Sequence, residues 1–159
     1  VRAALMGALF LSTMHTINSV GAIVRFSELG LSRSLIASSL LAVVAQRLVR
    51  TICPNCKEEV IPDKKLIEAS GVNIDSGAKF FKGKGCDACK NLGFSGRTAI
   101  FEIMFINKDI QEMIMSGASF TEIEAQARKS GMKTLREVAM QKAVEGITTL
   151  EEAIRVTPL

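Results

Sequence analysis

Two Cys-x-x-Cys pairs, Cys53-Pro54-Asn55-Cys56 and Cys86-Asp87-Ala88-Cys89, contain all four cysteines of the chain. A gap of two residues lets both thiolates of a pair turn toward a common point, and two pairs supply the four sulfur ligands that a structural zinc ion prefers. The 29 residues between the pairs exceed the usual spacing of roughly 15–20, so we expect a small subdomain to fill the interval. A zinc ion with four sulfur ligands has no open position for a substrate. The pattern therefore predicts a structural metal site, and does not indicate which reaction, if any, the chain catalyses.

Three other states of these cysteines are compatible with their spacing. Two disulfides would require an oxidising compartment, and a redox-active dithiol normally uses a single Cys-x-x-Cys pair. The third state, buried thiols without a ligand, seldom shows paired spacing. The surrounding charges favour zinc, because four thiolates around Zn²⁺ leave a negative excess and several lysines lie close to the pairs. These are Lys57, Lys82, Lys84 and Lys90. We therefore expect Cys53, Cys56, Cys86 and Cys89 to bind Zn²⁺.

The charge of the chain is mild and evenly spread. The sequence has 20 Lys and Arg against 16 Asp and Glu, which gives a formal net charge of +4 at pH 7. Nucleic-acid-binding domains usually concentrate positive charge in one patch and often add aromatic platforms. Here the aromatic residues are eight Phe, with no Trp or Tyr. With 48% hydrophobic and 23% charged residues, we expect a folded protein with no nucleic-acid partner.

The apolar segments do not predict a membrane anchor. The sequence begins with Val1 inside an apolar pattern, as expected for a piece of a longer chain. Arg2 followed by Ala3–Leu11 resembles the start of a signal peptide, but no small-x-small cleavage motif follows. The best candidate for a membrane span, Leu35–Ala45, has 11 residues interrupted by two serines, whereas a transmembrane helix needs about 20. We interpret this segment as a buried helix.

The first region, residues 1–52, is predicted to mix helices and strands. A buried strand over Ala8–Met14 would place His15 and Thr16 at its carboxyl end, the edge at which open α/β sheets bind ligands. His15 is the only histidine; it either satisfies the backbone at the strand end or orients a phosphate or a water molecule. The other expected elements are a helix tail over Val1–Met6 stopped by Gly7, a helix capped by Asn18 or Ser19 and running to Leu29, a helix capped by Ser32 and running through Ala45, and a strand over Gln46–Ile52.

The second region, residues 53–97, is the predicted zinc subdomain, and the third, residues 98–159, is a returning strand followed by helices. The elements expected in the second region and at its exit are a helix over Asp63–Ser70 ended by Gly71, a strand over Lys79–Lys82 and a strand over Thr98–Ile106. The helices expected after them are Asp109–Met115, Thr121–Lys129, Leu135–Glu145 and Leu150–Val156. Capping boxes are predicted at Thr121…Glu124, Thr134…Glu137 and Thr149…Glu152.

The sequence contains no recognisable phosphate-binding loop. The nearest approach to G-x-x-x-x-G-K-[ST] starts at Gly77, but it has one residue too many between its glycines and Gly85 stands where the Mg²⁺-binding hydroxyl belongs. No strand ending in an acidic pair is present either. We therefore expect residues 1–159 alone neither to bind ATP appreciably nor to hydrolyse it.

Five segments carry the motifs of one protein family in its order. They are Val1-Arg2-Ala3-Ala4-Leu5…Leu11-Ser12-Thr13-Met14-His15-Thr16; IASSLLAVVAQRLVR (residues 36–50) with Cys53-Pro54-x-Cys56; Cys86-x-x-Cys89…Gly93-Phe94-x-Gly96-Arg97-Thr98-Ala99-Ile100-Phe101-Glu102; Gly131-Met132-x-Thr134-Leu135; and Gly146-Ile147-Thr148-Thr149-Leu150-Glu151-Glu152. Together they resemble the secretion ATPases, the motors of type II secretion and type IV pilus assembly. The first segment is similar to the histidine box of that family. The resemblance covers essentially the whole chain.

The resemblance implies a fold and a function. The fold would be α/β: the C-terminal portion of a RecA-like P-loop NTPase domain (residues 1–52), an inserted four-cysteine zinc subdomain (53–97), and a returning strand with a C-terminal helical region (98–159). The function would be that of a cytoplasmic homo-hexamer that hydrolyses ATP with Mg²⁺ to power protein secretion or pilus or pseudopilus assembly. The motor would associate peripherally with the inner membrane through a platform protein. In the family, the Walker A and B motifs precede the histidine box, so here they would lie before Val1.

The resemblance also implies roles for individual residues. His15 would approach the phosphates of the nucleotide or the attacking water, and Thr16 would support it. Arg47 and Arg97, which lie in matching motifs, are expected to have structural roles in the sheet and at the subdomain junction. The chain departs from the family pattern at Ala8, where histidine is usual, and at Ile17, which intervenes between Thr16 and Asn18. The alternative function is a stand-alone, zinc-stabilised protein-interaction module without turnover.

Overall fold

The computed structural model of the protein describes residues 1–73 and 77–157. Within those ranges the fold is mixed α/β, as predicted. The helices are α1 (Arg2–Leu5), α2 (Gly21–Glu28), α3 (Arg33–Ser39), α4 (Lys64–Ser70), α5 (Lys108–Ser116), α6 (Phe120–Lys129), α7 (Leu135–Val144) and α8 (Leu150–Val156). The strands are β1 (Ala42–Ile52), β2 (Lys57–Val60), β3 (Phe80–Gly83) and β4 (Phe94–Phe105), and a 3-10 turn covers Asp87–Cys89. In the described ranges, β1 pairs with β4 and β2 pairs with β3 in two small sheets.

Short polar side chains cap α3 and α4 at their predicted starts, whereas α2, predicted to be capped by Asn18 or Ser19, has Val20 at its N-cap position without a side-chain cap. The Ser32 hydroxyl accepts a hydrogen bond from the Leu35 amide, and the Asp63 carboxylate accepts one from the Lys65 amide. Each acceptor satisfies an amide that has no partner inside the helix. Gly71 ends α4 with a φ of 65°, a left-handed conformation that glycine adopts without strain.

The capping boxes agree with the prediction only in part. The box that begins α6 is formed by Ser119 and Glu122, two residues before the predicted pair of Thr121 and Glu124. The Thr149 hydroxyl does accept the Glu152 amide at the start of α8, at 3.1 Å. The box predicted for Thr134 and Glu137 stays a prediction.

The strand predicted over Ala8–Met14 is absent, which corrects the expectation for this segment. These residues are irregular, and Leu11 is 85% exposed. A strand is stable only when a neighbouring strand accepts its backbone hydrogen bonds, and within the described ranges the pairs β1–β4 and β2–β3 leave no such neighbour for this segment. His15 therefore follows an irregular segment and not a strand.

The prediction of a long buried helix from Ser32 through Ala45 is also wrong. The helix α3 stops at Ser39, and the chain has become the strand β1 by Ala42. The Ser38 and Ser39 hydroxyls donate to the carbonyls of Ser34 and Leu35, at 2.7 and 2.6 Å. Such side-chain bonds compete with the helix for its last carbonyls, and the β-branched residues that follow favour a strand.

The chain forms two compact units, each made of two segments. Unit 1 comprises residues 1–45 and 102–134, and unit 2 comprises residues 46–101 and 135–159. The predicted boundaries at residues 52 and 97 stay a prediction, and their regions include residues 74–76 and 158–159, which lie outside the described residues. Among the described residues, the core of unit 1 is an apolar cluster contributed by α2, α3, the end of β4, α5, α6 and Met132. Its members are Val20, Ile23, Ile36, Ala37, Met104, Ile106, Ile110, Ile114, Ile123, Ala127 and Met132.

Unit 2 joins segments that are distant in sequence. The strands β2 and β3 are antiparallel, with Lys57 opposite Gly83 and Val60 opposite Phe80. The helix α7 packs on α8 and on β3, and α8 also packs on α4. The Ile52 amide donates to the Ile147 carbonyl at 2.9 Å, which ties the end of β1 to the turn between α7 and α8.

Among the helices of residues 1–73 and 77–157, none combines the length and the apolar character needed to cross a bilayer.

Candidate metal centre and histidine loop

The four cysteine sulfurs form a compact cluster in unit 2. The Sγ–Sγ distances are 3.9 Å for Cys53–Cys86, 3.9 Å for Cys56–Cys89 and 3.7 Å for Cys86–Cys89. All four sulfurs lie within 4.8 Å of one another. A tetrahedral ion with metal–sulfur bonds of about 2.3 Å requires sulfurs roughly 3.8 Å apart, so these four cysteines fit a metal ion. The thiols are free and too far apart for disulfides, whose S–S bond is about 2.05 Å.

We call the turn Cys53–Cys56 the first knuckle and the turn Cys86–Cys89 the second. The first knuckle follows β1 and is held in place by backbone hydrogen bonds. The Cys53 amide donates to the Gly93 carbonyl at 3.0 Å, and the Cys56 amide turns back to the Cys53 carbonyl at 3.3 Å. The Cys56 carbonyl accepts the Lys84 amide at 3.1 Å. These bonds join the first knuckle to both segments that flank the second.

The second knuckle surrounds the Cys89 sulfur with amide donors. The Cys86 and Gly93 amides each lie 3.3 Å from this sulfur. Lys90 and Asn91 adopt left-handed conformations, with φ of 52° and 59°, and so turn the chain sharply after the last ligand. Amides directed at a cysteine sulfur stabilise the thiolate, the form that binds a metal.

The protonation of the cluster follows from these contacts. Burial acts to raise the pKa of the Cys89 thiol, but hydrogen bonds from the backbone of Cys86 and Gly93 outweigh it and lower the pKa to about 6. Burial raises the pKa of the Cys56 thiol to about 12. A metal that binds at neutral pH must therefore displace the proton of Cys56, whereas Cys89 already favours the thiolate.

Glycines let the backbone of β3 approach the exit of the second knuckle. A Cβ on Gly83 would lie 2.7 Å from both the Cα and the carbonyl carbon of Gly93. A Cβ on Gly85 would lie 3.0 Å from the Asn91 carbonyl oxygen. Two backbone segments can meet this closely only where side chains are absent.

A buried carboxylate connects α8 to the strand that leads into the first knuckle. The Glu152 side chain is 1% exposed, and it pairs with Arg50 on β1 and with Arg155 one turn further along α8, at 2.8 and 2.7 Å. The Arg50 amide also donates to this carboxylate, and the Arg50 guanidinium lies 4.1 Å from the centre of the Phe94 ring. Hydrogen bonds from Arg155 hold the pKa of Glu152 well below its ordinary 4.5, at about 2, against the opposing effect of burial and with further help from Arg50.

Replacing Glu152 by Gln is expected to reduce stability by about 1–2 kcal/mol at pH 7, because both arginine partners are about half exposed and water screens them. Since the folded-state pKa is lowered, the contribution of Glu152 is present above pH 4.5 and is lost as the pH falls toward 2. Urea denaturation between pH 7 and 3 would show a flatter stability curve for Glu152→Gln than for the parent. The exposed neighbour provides the control: Glu151→Gln should keep the parent curve, and two indistinguishable curves for Glu152→Gln and the parent would contradict the prediction.

The loop around His15 lies in unit 1, whereas the cysteines lie in unit 2. We call residues 15–20 the histidine loop. The His15 side chain is exposed. The Thr16 hydroxyl donates to the Asn18 carbonyl at 3.0 Å, and the Asn18 side chain accepts the Gly21 amide at 3.0 Å, so the loop folds on itself as it enters α2.

Arg47 and Arg97 lie on the paired strands β1 and β4, and both side chains are exposed. The structural roles expected for them stay predictions.

Comparison with known proteins gives the family directly. Residues 1–155 match the family described as type II/IV secretion system protein. The chain belongs to this family. It is 43% identical over 157 residues to the type IV pilus assembly ATPase PilB of Thermus thermophilus, with 98% of the chain covered. It is also 39% identical to type II secretion system protein E of Pseudomonas aeruginosa and 40% identical to type II secretion system ATPase E of Vibrio cholerae, with 99% covered in each case.

The chain spans only part of the length of the family members that it matches. It spans 18% of the length of the Thermus thermophilus protein and 31% of the length of each of the other two. The activity, substrates and partners of those longer proteins are therefore carried to this chain only as proposals.

The contact between Glu102 and Ser19 was not predicted from the sequence of this family member. The Glu102 carboxylate accepts hydrogen bonds from both the amide and the hydroxyl of Ser19, at 2.7 and 2.5 Å. The alternation of Ile100, Glu102 and Met104 along β4 could have placed Glu102 on the buried face. Nothing in the sequence indicates that its partner is Ser19, because the two residues are 83 positions apart.

Proposed function

We propose that the chain is the C-terminal part of an ATPase that powers protein secretion or the assembly of a pilus or pseudopilus. The family match over residues 1–155 carries this proposal, together with relatives named as secretion or pilus assembly ATPases. Residues 1–52 would complete a RecA-like P-loop domain, and the Walker A and B motifs that hold ATP and Mg²⁺ would be supplied by the longer chain.

For the four cysteines we propose a structural zinc ion. Their mutual Sγ distances of 3.7 to 3.9 Å support this assignment, since soft thiolate sets in tetrahedral geometry suit Zn²⁺. All four ligands would come from this chain, which leaves no position on the ion for a substrate. The ion would therefore stabilise unit 2 and take no part in hydrolysis.

His15 is the residue of this chain that we propose for the nucleotide side of the motor. Its imidazole is exposed in a polar loop, and it would face the phosphates or the attacking water, with Thr16 in support. The surroundings proposed for the motor follow the resemblance: a homo-hexamer in the cytoplasm, held at the inner membrane through a platform protein and without a nucleic-acid partner.

The test compares the full-length protein with residues 1–159 alone. The full-length protein is expected to hydrolyse ATP, and His15→Ala to lower kcat by about 10²-fold or more if the imidazole handles a proton. The matched control is Ser12→Ala, an exposed polar residue just before the same loop, which should leave kcat unchanged. Calorimetry should detect no ATP binding by residues 1–159.

Two results would decide against the motor. Tight, stoichiometric ATP binding by residues 1–159 would contradict the proposal that the nucleotide motifs lie elsewhere. A full-length protein that holds zinc but lacks ATP hydrolysis would favour the alternative, a zinc-stabilised interaction module without turnover.

A further inference from the structure

Unit 1 contains a buried carboxylate, Glu102. Glu102 is 3% exposed and belongs to the inward face of β4, between Ile100 and Met104, which are both fully buried. An ionised group in such surroundings is costly unless hydrogen-bond donors surround it. We therefore expect Glu102 to fix the position of the groups that donate hydrogen bonds to it.

Glu102 fixes the end of the histidine loop. Ser19 is fully buried, and its amide and hydroxyl both donate to the same oxygen of Glu102, at 2.7 and 2.5 Å. The Met132 sulfur lies 3.5 Å from the Ser19 hydroxyl and closes the other side. Two short hydrogen bonds to one buried oxygen make this a firm attachment between β4 and the loop.

The attachment limits where His15 can be. His15 lies four positions before Ser19, and a fully extended chain spans at most about 3.6 Å per residue. Fixing Ser19 therefore confines the His15 backbone to within roughly 14 Å. The bonds of Thr16 and Asn18 inside the loop shorten that reach further. On the other side, Gly21 begins α2 two residues after Ser19.

We propose that Glu102 is a positioning residue, which sets the place of His15 by fixing Ser19. The inference rests on the proposed nucleotide-side role of His15 for its effect on turnover, but the attachment itself does not. Glu102 touches no reacting group in this assignment; it acts through the loop. A misplacement of about 1 Å at a reacting group costs up to about 10²-fold in rate.

The chain contains a closely matched control. Glu122 also accepts hydrogen bonds from the amide and hydroxyl of one serine, Ser119, each at 2.7 Å, but it does so on the exposed surface at the start of α6. Glu122→Gln therefore removes the same chemistry from unit 1 without changing the histidine loop.

The experiment measures hydrogen exchange and ATP turnover in the full-length protein carrying Glu102→Gln, Ser19→Ala or Glu122→Gln. We expect Glu102→Gln to raise amide exchange in residues 16–20 at least about tenfold, and to lower kcat by about 10- to 100-fold with KM for ATP within about threefold. Glu122→Gln should change neither quantity. His15→Ala should add little to Glu102→Gln, because both changes remove the same positioned imidazole.

Each result decides the inference. The inference would be overturned if amide exchange in residues 16–20 were the same in Glu102→Gln as in the parent. It would also be overturned if the fold-reduction of kcat in the double variant equalled the product of the reductions in His15→Ala and Glu102→Gln. Ser19→Ala removes only one of the two donors, so it replaces Glu102→Gln if that variant does not fold, with the same expected direction. If the parent hydrolyses no ATP, the proposed motor fails, and the exchange measurement alone then decides whether Glu102 fixes the loop.

Discussion

Removal of the proposed zinc with a chelator is expected to unfold the segments around the four cysteines while the core of unit 1 stays folded. The cysteines draw together residues 53–56 and 86–89, and in small zinc domains metal binding supplies about 10–16 kcal/mol of folding free energy. The apolar cluster of unit 1 contains no cysteine. Hydrogen exchange should therefore rise first in residues 53–60 and 80–93, and later in residues 104–114.

Metal analysis provides the stoichiometry and the controls. We expect one zinc per chain in reduced protein, lost in Cys56→Ser and in Cys89→Ser. Asp87→Asn, an exposed change inside the second knuckle, should keep the metal. Reduced protein that contains no zinc, and whose exchange is unaffected by the chelator, would refute the assignment.

Gly83→Ala is expected to destabilise the protein by about 3 kcal/mol or more and to weaken metal retention. The new Cβ would collide with the Gly93 carbonyl oxygen and lie 2.7 Å from the Gly93 Cα. Backbone atoms cannot rotate away as a side chain can, so the cost exceeds ordinary overpacking of about 1–3 kcal/mol. The Gly93 carbonyl accepts the Cys53 amide, so a displaced Gly93 also disturbs the first knuckle. Urea denaturation and chelator-driven zinc release would measure both effects.

Gly77→Ala is the matched control for Gly83→Ala. In the part of the chain that the structure describes, no atom lies within 4 Å of the position that its Cβ would occupy, so stability should change by no more than about 0.5 kcal/mol. Equal effects of the two substitutions would mean that the close approach of Gly83 and Gly93 is unimportant for stability.

The approach of the cysteines within each pair and most helix ends could be predicted from the sequence, because each depends on residues close together in the chain. A two-residue gap brings Cys53 and Cys56 to one point, and Ser32 or Asp63 caps a helix through an amide two or three residues later. Local geometry also allows near misses. Ser119, and not Thr121, begins α6, since both residues have an acidic partner three positions on.

The features that sequence reasoning missed depend on distant residues. An apolar run such as Ala8–Met14 has the composition of a buried strand, but composition does not supply the neighbouring strand that would pair with it. The apolar stretch after Ser32 has the composition of a helix or a strand, and its pairing as β1 with β4 decides the outcome. The attachment of Ser19 to Glu102 likewise joins positions that no local pattern connects.

The division of unit 2 into two segments has a consequence for biosynthesis. On a ribosome, Cys89 emerges about 60 residues before Ile147, an interval of several seconds at roughly 5–20 residues per second. All four thiols are therefore available to an ion before α7 and α8, which complete unit 2, have been translated. The proposed zinc, if bound in this interval, would order the two Cys-x-x-Cys turns before α7 and α8 are added. An oxidant present in the same interval would instead meet four thiols that neither an ion nor the two helices protect.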